Sequence, residues 1–155
     1  RLVSLAQSVC PDIAITTDII AGFPGESEAE FAESLEFVKA MEFAGGHVFT
    51  FSERPGTAAA RMPGQVPMAI RKERNAKIRQ VLEESAQRYR ARFLGQTLLV
   101  LWEYTQTLTD HQYKLSGLTD NYIRVVADAP RHLWKQITPV LLTGMNDEGM
   151  SGRLI

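Results

Sequence analysis

Hydrophobic and polar positions in the first part of the chain change between helical and strand-like spacing. Leu2, Leu5 and Ala6 have the spacing of a helix, and Pro11 ends it because proline pushes the preceding residue out of the helical region. Residues 12–21, DIAITTDIIA, form a β-branched run without strict polar alternation, which is typical of a strand covered on both faces. The pattern predicts a short helix followed by a buried strand.

A second helix and a second strand follow in the pattern. Ser27 and Glu30 have the spacing of a capping box, and an apolar stripe extends from there to about Glu42. The pair Gly45-Gly46 predicts the end of this helix, and HVFTF, residues 47–51, predicts the next strand. Strand, helix and strand together predict one right-handed βαβ unit.

The rest of the chain predicts a loop, a long helix and a β-rich region. Residues 52–67, SERPGTAAARMPGQVP, contain three prolines and two glycines and predict the loop. Apolar positions from Met68 to about Leu94 predict a long amphipathic helix. Five short apolar runs predict a small antiparallel barrel, with strands at 97–104, 112–117, 122–128, 135–144 and 151–155. The predicted fold is therefore α/β with a second, all-β region, divided into residues 1–94 and 95–155.

Composition limits the chemistry available to the chain. It has 155 residues, of which 45% are hydrophobic, and this is enough for a packed core. A single cysteine, Cys10, excludes an internal disulfide and any cluster held by several thiolates of this chain. The three histidines lack zinc-type spacing, no apolar run approaches the ~18 residues that span a bilayer, and the first residues lack signal-peptide features. We expect a cytoplasmic protein without a membrane partner.

Charge is distributed unevenly along the chain. Residues 1–68 hold four basic against nine acidic residues, whereas residues 69–93 hold eight basic residues against three glutamates. The remaining residues, 94–155, hold five basic against six acidic ones. The basic helix is open to three interpretations: it contacts nucleic-acid phosphate, it is a solvated face, or it packs on the acidic first part.

Two segments resemble ligand-binding loops. TTDIIAGFPGES, residues 16–27, places glycines between a strand and a capped helix, which favours either an anion site or an ordinary tight turn. A small α/β domain that binds a phosphate metabolite at this turn is therefore one hypothesis. Arg54 follows the second strand, and in α/β barrels such loops build the active site; the alternative is a surface loop whose arginine caps a carbonyl.

Three phrases together resemble one enzyme family. TTDIIAGFPGES and HVFTFSERPGTAAARMPGQVP look like the C-terminal part of a radical S-adenosylmethionine methylthiotransferase. GLTDNYIRV, with KQITPVLLTGMNDEGMSGRLI, resembles the TRAM RNA-binding barrel that ends those enzymes. The loop and the basic helix are most similar to the branch that methylthiolates N6-threonylcarbamoyladenosine in tRNA. The isopentenyladenosine-tRNA and ribosomal-protein branches are the alternatives within the family.

The resemblance implies a fold, an activity and a set of cofactors. It implies a βαβ remnant of a radical half-barrel, then a long helix and a five-stranded TRAM barrel. The parent enzyme uses S-adenosylmethionine and two 4Fe–4S clusters to insert sulfur at the adenine C2 and to methylate it. Its macromolecular partner is tRNA.

The resemblance also implies site residues. Ile20, Gly22, Phe49 and Phe51 match the strands beside the adenosine part of the cofactor. Arg54, Gly56 and Thr57 match the substrate side. Lys114, Asn121, Tyr122 and Arg124 match the face of the barrel that meets RNA.

One departure from the family concerns the cysteines. The radical cluster of the family needs a Cys-x3-Cys-x2-Cys triad and its second cluster needs three further cysteines, but this chain has only Cys10. We therefore expect a fragment that binds no cluster and is inactive alone. Its expected partner is the missing N-terminal part of the same chain, and without that part we expect it to self-associate through an exposed sheet edge. A stand-alone RNA-binding module without catalysis is the alternative from another functional class.

Overall fold

A computed structural model describes residues 1–147 and 149–155. The helices are α1 (Leu2–Val9), α2 (Glu28–Met41) and α3 (Met68–Ala91), with a short 3-10 turn at Ala59–Arg61. The strands are β1 (Thr16–Ala21), β2 (Gly45–Thr50), β3 (Thr97–Thr109), β4 (Gln112–Thr119), β5 (Arg124–Ala129), β6 (Ile137–Asn146) and β7 (Gly149–Leu154). They form two units, one made of Arg1–Val9 and Ala14–Tyr89, the other of Cys10–Ile13 and Arg90–Ile155.

The predicted βαβ unit is confirmed in the first unit. Strands β1 and β2 pair in parallel, with Ile20 opposite Phe49. The capping box is present: the Ser27 side chain accepts from the Glu30 amide, and the Glu30 carboxylate accepts from the Ser27 amide. That backbone hydrogen bond, followed by the one from the Ser27 hydroxyl, lowers the pKa of Glu30 below its ordinary value. The carboxylate therefore stabilises the start of α2 above that value, and this contribution is lost as the pH falls through the lowered pKa.

The predicted boundaries of the first unit need two corrections. The helix stop at Gly45-Gly46 is wrong, because α2 ends at Met41 with Glu42 left-handed at φ 48°, and both glycines lie in β2. Glycine is required there by packing, since a Cβ on Gly46 would lie 2.5 Å from the Thr17 carbonyl oxygen. Strand β1 also begins at Thr16 and not at residue 12, because residues 10–13 form a turn closed by the Ile13 amide on the Cys10 carbonyl.

The core of the first unit lies on one face of its two-stranded sheet. Apolar side chains from α2 and α3 pack there against β1 and β2. The buried members are Ala21, Phe31, Val38, Phe43, Val48, Ile78, Val81 and Leu82. Both helices therefore cover the same face of the sheet, and neither helix covers the opposite face.

The predicted barrel is confirmed in the second unit. Its five strands close in the order β3-β4-β5-β7-β6. Four of the pairs are antiparallel, as predicted, but β5 and β7 pair in parallel. A closed ring with an odd number of strands cannot alternate direction at every step, so one parallel pair is unavoidable. The prediction of a wholly antiparallel barrel is corrected at that pair.

A small apolar core fills the barrel. Trp102 is fully buried, and its indole Nε1 donates to Thr138 Oγ1 at 2.8 Å. A Cβ on Gly152 would lie 2.4 Å from a Val140 methyl group and 2.9 Å from a Val125 methyl group, so only glycine fits where these strands approach. Among the described residues, no helix is both long and apolar enough to cross a bilayer.

Candidate functional site

The uncovered face of the β1–β2 sheet is the first candidate site. Ile20 is 55% exposed and Phe49 is 54% exposed, and they are direct neighbours across the two strands. Asp18 and His47 form the next exposed pair on this face, two residues earlier on each strand. Because side chains alternate between faces, Val48 and Ala21 point to the helices and are buried. Large apolar groups thus lie open beside one carboxylate and one imidazole.

Gly22 and Phe51, the other two residues matched to the cofactor, lie at the ends of the strands. Both contact Arg71 of α3: a Cβ on Gly22, where φ is 75°, would lie 2.5 Å from Arg71 Cγ. The Phe51 ring is buried, with its centroid 5.2 Å from the Arg71 guanidinium carbon. The four predicted residues therefore form two pairs, and only Ile20 and Phe49 are open to a ligand.

Four amides of the glycine turn, residues 22–27, donate to partners within the chain. The Gly22 amide donates to Glu26 Oε2 at 2.9 Å, and the Gly25 amide donates to the Gly64 carbonyl at 2.8 Å. The amides of Glu26 and Ser27 donate to the Phe23 carbonyl and to Glu30 Oε2. An anion at this turn would have to displace these partners, among them a carboxylate. These occupied amides disfavour the phosphate-site interpretation, and with it the metabolite-binding hypothesis.

The proline loop, residues 51–67, presents Arg54 to solvent. The Thr57 amide and hydroxyl both donate to the Arg54 carbonyl, and Gly56 has φ 86°, as a proline–glycine turn requires. The Thr57 hydroxyl also accepts from the Ala60 amide and starts the 3-10 turn. Gly56 and Thr57 therefore shape the loop. The Arg54 side chain is exposed and makes no ion pair within the described residues.

Two arginines of the basic helix pack on the acidic first part of the chain. Arg71 and Arg74 are each only 5% exposed. Arg71 pairs with Glu53, and Arg74 pairs with Glu26 at 2.7 Å and Glu28 at 3.1 Å. Contact with nucleic-acid phosphate is therefore wrong for these two residues, and packing on the acidic part is the interpretation that holds. Charge composition located the cations but not their tertiary partners.

A tyrosine on a tight turn marks the candidate RNA face of the barrel. Tyr122 was predicted to begin a strand, but it lies in the turn before β5 with φ 62° and is 78% exposed. The Tyr122 amide donates to the Thr119 carbonyl, and the Ile123 amide donates to the buried Thr119 hydroxyl. The ring therefore points outward from a hydrogen-bonded turn.

Tyr122 borders an apolar groove of about 400 Å³ on the outside of the barrel. Its other lining residues are Leu99, Leu101, Glu103, Leu118, Thr119, Asp120 and Ile137. Leu99 is 61% exposed and Ile137 is 63% exposed. The sequence analysis places Leu99, Leu101 and Ile137 in strands without assigning them a role; the outward positions of the run TLLVLWEY are the signal that could have found the first two.

The remaining predicted RNA residues lie at different distances from this groove. The Arg124 guanidinium donates to Glu103, a groove residue, at 3.0 Å. The Asn121 side chain accepts from Thr119 and donates to the Asp12 carbonyl. Lys114 lies farther along β4, opposite Asp128, and borders a separate pocket of about 130 Å³. The structure brings Asn121, Tyr122 and Arg124 together and leaves Lys114 apart.

The described residues do not fit an iron–sulfur cluster. Such clusters are held by several cysteine thiolates, but the chain has one cysteine, which is exposed, and no group of three metal-ligating side chains occurs in residues 1–147 and 149–155. The Ile20–Phe49 face does fit a flat, largely apolar group such as an adenine ring, because both side chains are open on the same face.

Sequence comparisons show which known proteins the chain is similar to. No protein-family model matches the chain. The chain is 42% identical over 79% of its length to the threonylcarbamoyladenosine tRNA methylthiotransferase MtaB of Thermotoga maritima, covering 26% of that protein. It is 38% identical over 81% of its length to MtaB of Bacillus subtilis, covering 28%. It is 30% identical over 97% of its length to a tRNA-2-methylthio-N(6)-dimethylallyladenosine synthase of Ehrlichia canis, covering 34%.

The chain thus spans about a quarter to a third of the length of these relatives. The alignments extend over most of the chain's own residues, and the names of all three relatives describe a methylthio modification of tRNA. By sequence, the chain belongs to the radical S-adenosylmethionine methylthiotransferase family.

Proposed function

We propose that the chain is part of an enzyme that adds a methylthio group to C2 of N6-threonylcarbamoyladenosine in tRNA. The observation that carries this proposal is the identity of 42% and 38% with two relatives named for that nucleoside. In this proposal residues 1–94 belong to the radical domain and residues 95–155 to a TRAM barrel. The enzyme acts in the cytoplasm, where its tRNA partner is modified.

The uncovered sheet face has the cofactor role in this proposal. Ile20 and Phe49 hold the adenosine part of S-adenosylmethionine, a cofactor that supplies the radical precursor and the methyl group when it is bound. Both side chains are more than half exposed on one face, which supports a contact with a flat apolar group. Gly22 and Phe51 support this face from the ends of the strands through Arg71. The clusters are held by other parts of the enzyme, because this chain has one cysteine.

Arg54 and the barrel have the substrate role. The Arg54 guanidinium is free to pair with a phosphate or with the carboxylate of a threonylcarbamoyl group. On the barrel, Tyr122 stacks on an unpaired base, and Arg124 contacts the backbone beside it. The exposed ring of Tyr122 next to an apolar groove supports this assignment.

A second nucleoside is supported by a different comparison. Over 65% of its length the chain is 44% identical to a tRNA-2-methylthio-N(6)-dimethylallyladenosine synthase of Caldicellulosiruptor saccharolyticus. Deletion of the gene, followed by mass spectrometry of tRNA nucleosides, separates the candidates. We expect loss of the methylthio form of threonylcarbamoyladenosine. Loss of only the methylthio form of dimethylallyladenosine would assign the second substrate, and an unchanged nucleoside profile would favour an RNA-binding module without catalysis.

Substitutions in the groove distinguish stacking from charge in tRNA binding. We expect Tyr122→Ala to weaken binding roughly 5- to 150-fold, because stacking on one base is worth about 1–3 kcal/mol. The slope of affinity against salt should stay the same, since no phosphate contact is lost. Arg124→Ala should reduce the magnitude of that slope by about one, which corresponds to one fewer counterion released on binding. Binding is measured by fluorescence anisotropy at several salt concentrations.

The matched control for these variants is Leu108→Ala. Leu108 is 49% exposed and lies on β3 outside the residues that line the groove. Its substitution should leave both affinity and salt slope unchanged. Equal affinities for wild type and Tyr122→Ala would contradict the stacking role.

The isolated chain should self-associate through β1. The β1–β2 sheet has two strands, so β1 is paired on one side only within the described residues. A groove of about 360 Å³ beside it is lined by apolar groups that include Ile19, Phe37 and Phe43. We expect light scattering to show dimers or larger species at high concentration, and Ile20→Lys to reduce them because a charge disfavours edge pairing. A clean monomer of the unmodified chain would contradict this prediction.

A further inference from the structure

Arg71 connects α3 to both ends of the proline loop. Its Nε donates to the Val66 carbonyl and its Nη1 donates to the Phe51 carbonyl at 3.1 Å. Its Nη2 donates to Glu53 at 3.3 Å and to Gln65 at 3.1 Å. One buried guanidinium therefore binds both ends of the loop, residues 51–53 and residues 65–66, and leaves the segment around Arg54 between them.

Arg74 does the same for the glycine turn, one helical turn later on α3. Its Nη1 donates to both the carbonyl and the carboxylate of Glu26, and its Nη2 donates to Glu28. The same Glu26 oxygen accepts from the Gly22 amide at 2.9 Å. Arg74 therefore holds both ends of the turn, through Glu26 at its end and through the carboxylate bridge to Gly22 at its beginning.

The two loops are also joined directly. The Gly25 amide donates to the Gly64 carbonyl at 2.8 Å, and Gly64 has φ 74°. A Cβ on Gly64 would lie 3.3 Å from the backbone of Gly25, so the backbones of the two loops are in contact. The two loops are therefore held against each other by a backbone hydrogen bond.

We propose that Arg71 and Arg74 are positioning residues that fix the loops after β1 and β2 in one arrangement. Arg54 is thereby presented beyond the carboxyl ends of the two strands, near which Ile20 and Phe49 also lie. The role of this arrangement in substrate binding rests on the proposed function, whereas the fixing of the loops by the two arginines does not. Lysine is a poor replacement for either residue. Its single ammonium group lacks the planar fork by which each arginine contacts partners on two sides.

Hydrogen–deuterium exchange of the 155-residue chain tests the arrangement. Arg71→Lys should speed amide exchange in the proline loop roughly tenfold or more, because charge-assisted hydrogen bonds to it are lost. Arg74→Lys should do so mainly in the glycine turn. Arg79→Lys is the matched control, since Arg79 is exposed on the same helix and bonds to Asn75 and Val48, outside both loops. Similar exchange in all three variants, or a uniform increase across the first unit, would overturn the proposal.

A double-mutant cycle in the full-length protein tests whether Arg71 acts through Arg54. We expect Arg54→Ala and Arg71→Lys each to weaken tRNA binding by about tenfold, and the double variant to bind no worse than either single variant. Multiplicative losses would contradict action through Arg54. A wild-type protein that does not bind tRNA would instead contradict the proposed function, while the exchange experiment would still decide the positioning role.

Discussion

Arg74→Met lowers the free energy of unfolding of the first unit by about 3–5 kcal/mol, because it leaves a largely buried carboxylate without its partner. The Glu26 side chain is 16% exposed, and its Oε2 lies 2.7 Å from Arg74 Nη1. Breaking one half of a buried ion pair costs more than the pair contributes, since the remaining charge keeps its desolvation penalty. The measurement is urea unfolding followed by helical circular dichroism, which reports on the first unit through α1, α2 and most of α3.

Two further variants separate this explanation from a general loss of packing. Lys72→Met changes an exposed cation on the same helix and should leave the unfolding free energy within about 0.5 kcal/mol of wild type. Glu26→Gln combined with Arg74→Met should recover part of the loss, because no buried charge is left unpaired. If Arg74→Met and Lys72→Met were equally stable, the basic helix would not depend on the acidic turn.

Trp102→Ala lowers the free energy of unfolding of the barrel by about 3–5 kcal/mol, the range for deleting a large buried aromatic side chain. The indole is fully buried, and its removal leaves a cavity and an unpaired Thr138 hydroxyl. The other tryptophan, Trp134, is 50% exposed and also lies in the second unit. Its fluorescence reports unfolding of the barrel in the Trp102→Ala variant, separately from the helical signal.

Trp134→Ala is the matched control for the barrel. Its indole Nε1 donates to the Glu103 carbonyl at 3.1 Å, and Lys135 Nζ lies 4.2 Å from its ring centroid. Because half of the side chain is already in solvent, we expect a loss of about 1 kcal/mol or less. Equal losses for the two tryptophan variants would show that Trp102 does not form the core of the barrel.

Local signals in the sequence predicted much of the fold. The capping box at Ser27 and Glu30, the elements of the βαβ unit and the strands of the barrel are each predicted by short-range patterns in the sequence. Gly45-Gly46 misled the prediction because glycine ends helices, whereas here Gly46 is required by the close approach of Thr17. The parallel β5–β7 pair follows from the closure of an odd ring, which no single segment encodes.

The candidate site was predictable only in part, because its contacts are long-range. Ile20 and Phe49 lie opposite each other because β1 and β2 pair in parallel, and the resemblance had placed both residues beside the cofactor. The burial of Arg71 and Arg74 depends on partners 18 and 48 residues away along the chain, and charge composition does not identify them. Tyr122 adopts a left-handed backbone that a strand pattern does not predict, and this conformation turns its ring outward.

The most direct test of the account is complementation of a strain that lacks the gene, with methylthiolated nucleosides in its tRNA measured by mass spectrometry. The full-length gene should restore the methylthio form of threonylcarbamoyladenosine. Phe49→Asp should abolish it, because a carboxylate is placed on the face proposed to hold the adenosine, at a side chain exposed enough to keep the fold. Leu108→Asp, at a similarly exposed position, should restore the nucleoside in full. Full restoration by Phe49→Asp, or none by the wild-type gene, would contradict the account.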